Sequence, residues 1–507
     1  MAFKRASGIL LHPTSLPGPY GIGDIGPEAF SWVNYIASSG CSLWQVLPLS
    51  PTGYGDSPYQ CFSAFAGNPL LISPDSLIAE DLLHPDDLEE VDFSVDKVDF
   101  GTVIPYKYKI LDRSYQYFQK NGSTEIQRDF DDFKENESEW LGDFTLFMAI
   151  KEAFGGGSWI DWPAAYRKRD PEKLRLFQEQ HQVAIDRHAY RQFLFFRQWA
   201  RLRDHAHDQN IQIIGDIPIF VAHDSADVWS HPDLFFLDED GNPTVVAGVP
   251  PDYFSPTGQL WGNPLYHWDV HEAQGYAWWI ARFQAVLNRV DIVRLDHFRG
   301  FAGYWEIPNQ EVTAINGRWV SGPGKKFFYT LKEALGELPI IAEDLGVITE
   351  DVVDMRETFN LPGMKILVFA FDSDATNTFL PHHYTRDCVV YTGTHDNDTA
   401  LGWYKRVEDA ERNFARQYLA RDGQDISWDL IRAGWSSVAV FSLAPMQDFL
   451  GLDNKARMNY PSKLGGNWAW RMPSEALSEP LRYRIAEMNT IYGRHASRQT
   501  ESDSEGE

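Results

Sequence analysis

The sequence predicts an α/β fold, specifically a (β/α)8 TIM barrel. Three observations carry this: eight short apolar runs along the chain, helical patterns between them, and charged or hydroxylated residues at their downstream ends. The runs are S-G-I-L-L-H-P near Gly8, S-L-W-Q-V-L-P near Leu43, I-Q-I-I-G-D-I-P near Ile213, D-I-V-R-L-D-H near Val293, P-I-I-A-E-D-L-G near Ile341, M-K-I-L-V-F-A near Leu367, C-V-V-Y-T-G-T-H-D near Val390 and V-A-V-F-S-L-A-P near Val440. Strands alternating with helices through right-handed crossovers give a parallel sheet covered on both faces. A doubly wound open sheet is the alternative, because closure depends on the strand number.

Taken in order, a helix over 29–38 follows the first run and stops at Gly40. Helices over 276–289 and 325–335 precede the fourth and fifth runs, and Thr349 is placed to cap a helix from Glu350 that ends before Leu361-Pro362-Gly363. Two gaps are too long for ordinary loops. The first, 75–205, carries helical patterns over 106–119, 144–154 and 187–205 and reads as a mainly helical insertion after the second strand. The second, 220–273, is rich in Pro, Gly, Asp and Trp with little periodicity and reads as a loop excursion after the third strand, lining a substrate cleft. The catalytic unit is accordingly placed at 1–496, and the acidic 497–507 is expected to be a disordered tail.

The stretch 290–300, V-D-I-V-R-L-D-H-F-R-G, organises the rest. Arg294 and Asp296 alternate with aliphatic residues and so share one strand face. A buried ion pair has a weak stability motive, because desolvation costs several kcal/mol per ion. The alternative is that Arg294 keeps Asp296 ionised at a strand end where a substrate can reach it. Side by side, the strand ends also bring Asp216, Glu343 and Asp396 to one mouth, with His297 and His395. Two carboxylates flanking one carbon suit glycoside chemistry, one protonating the leaving oxygen while the other attacks or activates water. A divalent metal site competes with that reading, but the adjacency of His395 and Asp396 is poor ligand spacing and Arg294 opposes a cation. His297 reads as a hydrogen-bonded core histidine, Asp216 equally as a turn residue, and His12 as either a strand-end support or a sugar contact.

Composition narrows the partners. A net charge of -27 repels polyphosphate and anionic lipid, so neither nucleic acid nor a membrane is an expected partner, and no apolar stretch approaches a membrane span. Three cysteines without metal spacing fit a reducing compartment, and the expected location is cytoplasmic. Eighteen tryptophans and 22 tyrosines offer flat faces on which neutral sugar rings can stack. No Gly-rich phosphate cradle or nicotinamide fingerprint is evident, and no cofactor or metal is expected.

Seven ordered segments then carry a resemblance: S-G-I-L-L-H-P-T-S-L-P-G-P-Y-G-I-G-D-I-G, G-Y-G-D-S-P-Y-Q, G-Q-L-W-G-N-P-L-Y-H-W, D-I-V-R-L-D-H-F-R-G, I-I-A-E-D-L-G, G-T-H-D-N-D and R-M-N-Y-P-S-K-L-G-G-N-W-A-W-R. The chain resembles the amylomaltases, the bacterial and plastid 4-α-glucanotransferases, from Ser7 to Arg471. The resemblance implies a retaining transglycosylase that cuts an α-1,4-glucan and passes one part to the 4-hydroxyl of glucose or a maltooligosaccharide. It implies Asp296 as nucleophile, Glu343 as general acid/base and Asp396 as the third, transition-state-stabilising carboxylate. It further implies Tyr59, Asp216, Arg294 and His395 as a sugar-holding shell, Trp261 as an acceptor-side platform and Asn467 as a late glucan contact. Tyr54 is a candidate contact away from the mouth. An amylase-type hydrolase shares these carboxylates, and a glucan-binding protein on an inactive barrel remains the non-enzymatic alternative.

Overall fold

The computed structural model describes residues 3–251, 255–461, 463 and 465–495. The acidic tail expected at 497–507 lies outside the described residues, as do Asp252, Tyr253 and Phe254 of the cleft excursion. All eight predicted runs form strands: β1 (Ala6–Leu10), β2 (Leu43–Gln45), β3 (Gln212–Ile217), β4 (Ile292–Leu295), β5 (Ile340–Ala342), β6 (Gly363–Ile366), β7 (Cys388–Tyr391) and β8 (Phe441–Pro445). They pair in parallel in the order β6-β7-β8-β1-β2-β3-β4-β5. Between β5 and β6 the ring is drawn together by Ala342 N–H donating to Pro362 O at 2.9 Å and by Met364 N–H donating to Asp344 Oδ1 at 2.7 Å. The result is a (β/α)8 barrel.

The strands are buried along nearly their whole length, because helices cover the outside and side chains fill the inside. Register decides which polar groups meet. Asp216 of β3 lies directly opposite Arg294 of β4, in the layer nearest the downstream mouth. Across the interior the Tyr391 hydroxyl donates to Gln45 Oε1 at 2.8 Å, so these two polar members of the filling satisfy each other.

Between β2 and β3 lie helices Phe100–Asn121, Thr124–Asn136, Ser138–Ala153 and Pro171–Asp208. The last runs unbroken through the predicted 187–205 and delivers the chain to β3. Its start is fixed by Asp170, whose carboxylate accepts from Glu172 N–H at 3.1 Å and Lys173 N–H at 3.0 Å, with Pro171 in the first helical position. Among the described residues no helix is long and apolar enough to cross a membrane. Thr349 stands at the N-cap of Glu350–Thr358 in extended conformation, but its side chain makes no capping bond to the helix backbone.

The 220–273 excursion is not merely loop. Its strands Val245–Val249 and Gln259–Pro264 join Gly303–Pro308 and Arg318–Ser321, from the segment after β4, in a four-stranded antiparallel sheet. The central strand V-V-A-G-V is short, carries a glycine and pairs with a register shift between Val246 and Gly248. Such a strand has little periodicity of its own and becomes a strand only against its distant neighbour.

Candidate active site

The mouth is assembled from strand ends. Arg294, buried in β4, forks between two carboxylates: Nη1 lies 2.6 Å from Asp216 Oδ2 and Nη2 lies 2.7 Å from Asp296 Oδ1. The planar guanidinium fixes both acids in one geometry, which a lysine could not do. The Tyr59 hydroxyl adds a third bond to the cluster, donating to Asp216 Oδ2 at 3.0 Å. Burial pushes the Asp216 carboxyl up to about 6 although Arg294 opposes it. Its other oxygen, Oδ1, is buried with no hydrogen-bond partner among the described residues. Asp216 is therefore part of the mouth rather than a simple turn residue.

Just past Asp296 the backbone turns sharply, with His297 in the left-handed region at φ 50° and ψ 48°. The turn aims the His297 N–H at Glu343, just beyond β5, which accepts it on Oε2 at 2.7 Å and accepts Leu345 N–H on Oε1 at 3.1 Å. Glu343 is held well above the ordinary carboxylate range, at about 8, first by burial and then by the nearby charge of Asp296. The peptide group that follows Asp296 thus orients the Glu343 carboxyl. The His297 ring does not match the hydrogen-bonded core histidine expected from sequence: it packs edge-on against Trp261, with centroids 4.9 Å apart at 82°, and its Nε2 is buried with no hydrogen-bond partner among the described residues. Burial lowers that ring to about 4, keeping it neutral.

The turn after β7 supplies the opposite wall. Asn397 Oδ1 accepts from both the N–H and the hydroxyl of Thr394, at 2.8 and 2.9 Å, and buried Asp448 accepts Ala400 N–H at 2.7 Å. This pinning presents His395 and Asp396 together. His395 Nε2 sits 3.2 Å from Asp396 Oδ2, and the His395 ring stacks on Tyr59 at 5.1 Å and 15°. Asn459 donates to Asp396 Oδ1 at 2.6 Å. The crowded walls alone would raise the Asp396 carboxyl, but His395, Asn459 and Arg294 together hold it down at about 2. His12 lies below, buried and neutral at about 3, its Nδ1 accepting Leu47 N–H at 3.3 Å.

The structure brings together Tyr59, Asp216, Arg294, Asp296, Glu343, His395 and Asp396, and sets Trp261 beside them through His297. Trp261 belongs to the strand Gln259–Pro264, not to a loop, and packs on Phe220 as well. Asn467, expected as a late glucan contact, is held within its own loop. Its amide clips its own loop, accepting Tyr460 N–H at 3.0 Å and donating to Lys463 O at 2.8 Å. Tyr54 stands apart, 74% exposed, with no hydrogen bond or ring contact to the cluster. Sequence reasoning missed Asn459 as a partner of Asp396 and Trp468, whose ring lies 5.7 Å from Tyr59 and 5.8 Å from His395. Both sit inside the segment R-M-N-Y-P-S-K-L-G-G-N-W-A-W-R, and only its composition could have flagged them. Among the described residues no three His, Cys, Asp or Glu side chains form a set that could hold a metal ion.

The family model for 4-alpha-glucanotransferase matches residues 11–477. The chain belongs to the 4-alpha-glucanotransferase family. It is an enzyme of that activity. A 4-alpha-glucanotransferase of Thermus thermophilus is 50% identical over 496 residues, spanning 96% of this chain and 99% of the relative. One from Synechocystis sp. is 49% identical, spanning 97% and 99%. Among solved structures, an amylomaltase from Streptococcus agalactiae in complex with acarbose superposes with a TM-score of 0.95 at 41% identity, covering 97% of this chain and 100% of the other.

Proposed function

We propose that this 4-alpha-glucanotransferase works by a retaining double displacement on α-1,4-glucans, with Asp296 as nucleophile and Glu343 as general acid/base. One observation carries the assignment: Asp296 shares an ion pair with Arg294 at 2.7 Å, while its neighbour Glu343 is pushed up to about 8. One carboxylate is set to attack, the other to carry a proton at neutral pH.

In the first step an Asp296 oxygen forms a bond to the anomeric carbon. The glycosidic C–O bond breaks, and the Glu343 proton goes to the departing 4-oxygen. In the second step Glu343, now a carboxylate, takes the proton from the 4-hydroxyl of glucose or a maltooligosaccharide as that oxygen attacks the same carbon and expels Asp296. Asp396, held as an anion, receives the hydroxyls of the reacting ring as charge develops on it. Tyr59, Asp216, Arg294 and His395 hold that sugar, and Asp216 Oδ1 is an acceptor with no hydrogen-bond partner among the described residues. Trp261 stacks the acceptor and keeps water from the covalent intermediate. Asn467 serves by shaping the loop over the mouth, and Tyr54 is an outlying glucan contact. The described cysteines Cys41, Cys61 and Cys388 are free and buried, which suits work in the cytoplasm.

The test is incubation with maltotriose. Longer maltooligosaccharides should appear beside glucose, and Asp296→Asn or Glu343→Gln should each reduce turnover by about three or more orders of magnitude, since nucleophile and proton donor act as a unit. Near-normal turnover in either variant removes the assignment. Glucose and maltose alone, without longer products, would favour the hydrolase reading.

A further inference from the structure

Of the 18 tryptophans in the chain, all among the described residues, one alone is exposed. This is Trp319, 43% open, on Arg318–Ser321 at the edge of the antiparallel sheet. It lies directly across from Trp305, with ring centroids 5.2 Å apart at 70°. The guanidinium of Arg299 sits over the Trp319 ring, 3.8 Å from its centre. Arg299 is itself buried and donates to the carbonyls of Gly303 and Val347, so the indole is backed by a fixed cation. Trp305 is anchored in turn by its Nε1–H to Ala314 O at 2.9 Å. The platform is stiff before anything binds it.

Its surroundings are apolar and open. The hairpin joining Gly303–Pro308 to Arg318–Ser321 exposes Val312 and Ile315, and Leu260 is exposed across the sheet. Register puts Trp319, Trp305 and Leu260 on one face. Trp261, the next residue after Leu260, points to the other face, toward His297 and the mouth. An exposed cluster of this kind marks an interaction site. A second copy of the chain suits it poorly, because each molecule carries a net charge of -27. Polyanions are disfavoured for the same reason. A neutral ligand with flat apolar ring faces and a hydroxyl rim fits the exposed indole and the polar side chains of Gln310, Glu311 and Asn316 on the hairpin.

We propose that the outer face of this sheet is a second binding site for α-1,4-glucan chains, with Trp319 as its stacking platform. The proposal rests on the reading of α-glucan as substrate. The two faces of one sheet would then hold two parts of a polymer, one at the mouth and one outside it. Tethering raises the effective concentration of further chain ends at the mouth, an advantage that only a long glucan can give.

The experiment is native electrophoresis through gels containing glycogen, in the Asp296→Asn background so that the polymer is not consumed. Adding Trp319→Ala should weaken the retardation at least about fivefold, the scale expected of a central tryptophan, whereas Trp319→Tyr should keep most of it. In the active enzyme Trp319→Ala should leave maltotriose turnover within about twofold of the parent, because such a short substrate gains nothing from a remote contact. Unchanged retardation in Trp319→Ala overturns the site. A parallel loss of maltotriose turnover overturns it too, by showing that the ring serves to hold Arg299 and the loop behind Glu343. Concentration-dependent dimers of the parent that Trp319→Ala abolishes would assign the face to a second copy instead. If the active parent forms no longer oligosaccharides from maltotriose, the proposed reaction fails, an outcome distinguishable from these three.

Discussion

The peptide N–H of His297 donates to Oε2 of Glu343 at 2.7 Å, so the residue that follows one carboxylate orients the other. The left-handed turn at His297 is what permits this, and it links the ends of β4 and β5 more tightly than strand pairing alone.

The raised Glu343 has a consequence for stability as well as for rate. Its folded value of about 8 lies above the usual 4.5, so between these the native state holds a proton that the unfolded state has released. The stabilisation is fully present below about pH 4.5 and is lost as pH rises through about 8. Glu343→Gln should therefore gain in melting temperature over the parent from pH 5 to pH 9, and the parent's activity should decline on the alkaline side near 8. A melting difference independent of pH would show that Glu343 does not carry the proton.

Among the described residues Arg294 is the only cation bonded to buried Asp216. Replacing it with methionine strands that carboxylate, and the expected loss is about 3–5 kcal/mol in urea unfolding. Because Asp216 already lies at about 6, lowering the pH to 5 should recover part of the loss by protonating it. A loss of the same size at pH 5 and pH 8 would locate the damage in packing rather than charge.

Asn459 acts through Asp396. Its amide bond at 2.6 Å is to a charged acceptor, so Asn459→Ala should lower kcat/KM about 10–100-fold, the equivalent of roughly 1.5–3 kcal/mol. A merely structural role would not move the pH profile. Loss of one of the groups that hold Asp396 at about 2 should shift the acid limb upward while the melting temperature barely changes. An acid limb that stays in place would refute the role.

Trp261 is assigned to partition rather than to chemistry. Trp261→Ala should raise the ratio of hydrolysis to transfer on maltotriose several-fold, because water gains access to the intermediate when the acceptor is poorly held. Released glucose and longer products, separated chromatographically, give that ratio directly. An unchanged ratio would sink the platform role.

Much of the barrel was readable in the chain because each strand announces itself locally. Ile213, Val293 and Ile341 lie in short apolar runs, and a charged residue such as Asp216, Arg294 or Asp296 on a buried strand is costly enough to be conspicuous. The outer sheet was not readable in this way. Val245–Val249 is stable as a strand only beside Gly303–Pro308, and nothing local to either segment specifies the other. Asn459 escaped for a related reason: an amide in a turn-rich segment carries no pattern, and its value comes from a neighbour 63 positions earlier. Asn467 shows something further that sequence could not tell: its amide also bonds within its own loop, to Tyr460 and Lys463.

The ring closes with β1 seated between β2 and β8, the first strand against the last. A polypeptide emerging from the ribosome therefore carries β1 with one bare edge until Phe441–Pro445 has been made. Unpaired edges invite pairing with other chains, so a product truncated ahead of Phe441 should accumulate in inclusion bodies rather than as a smaller soluble protein. Synthesis of this enzyme is close to an all-or-none commitment.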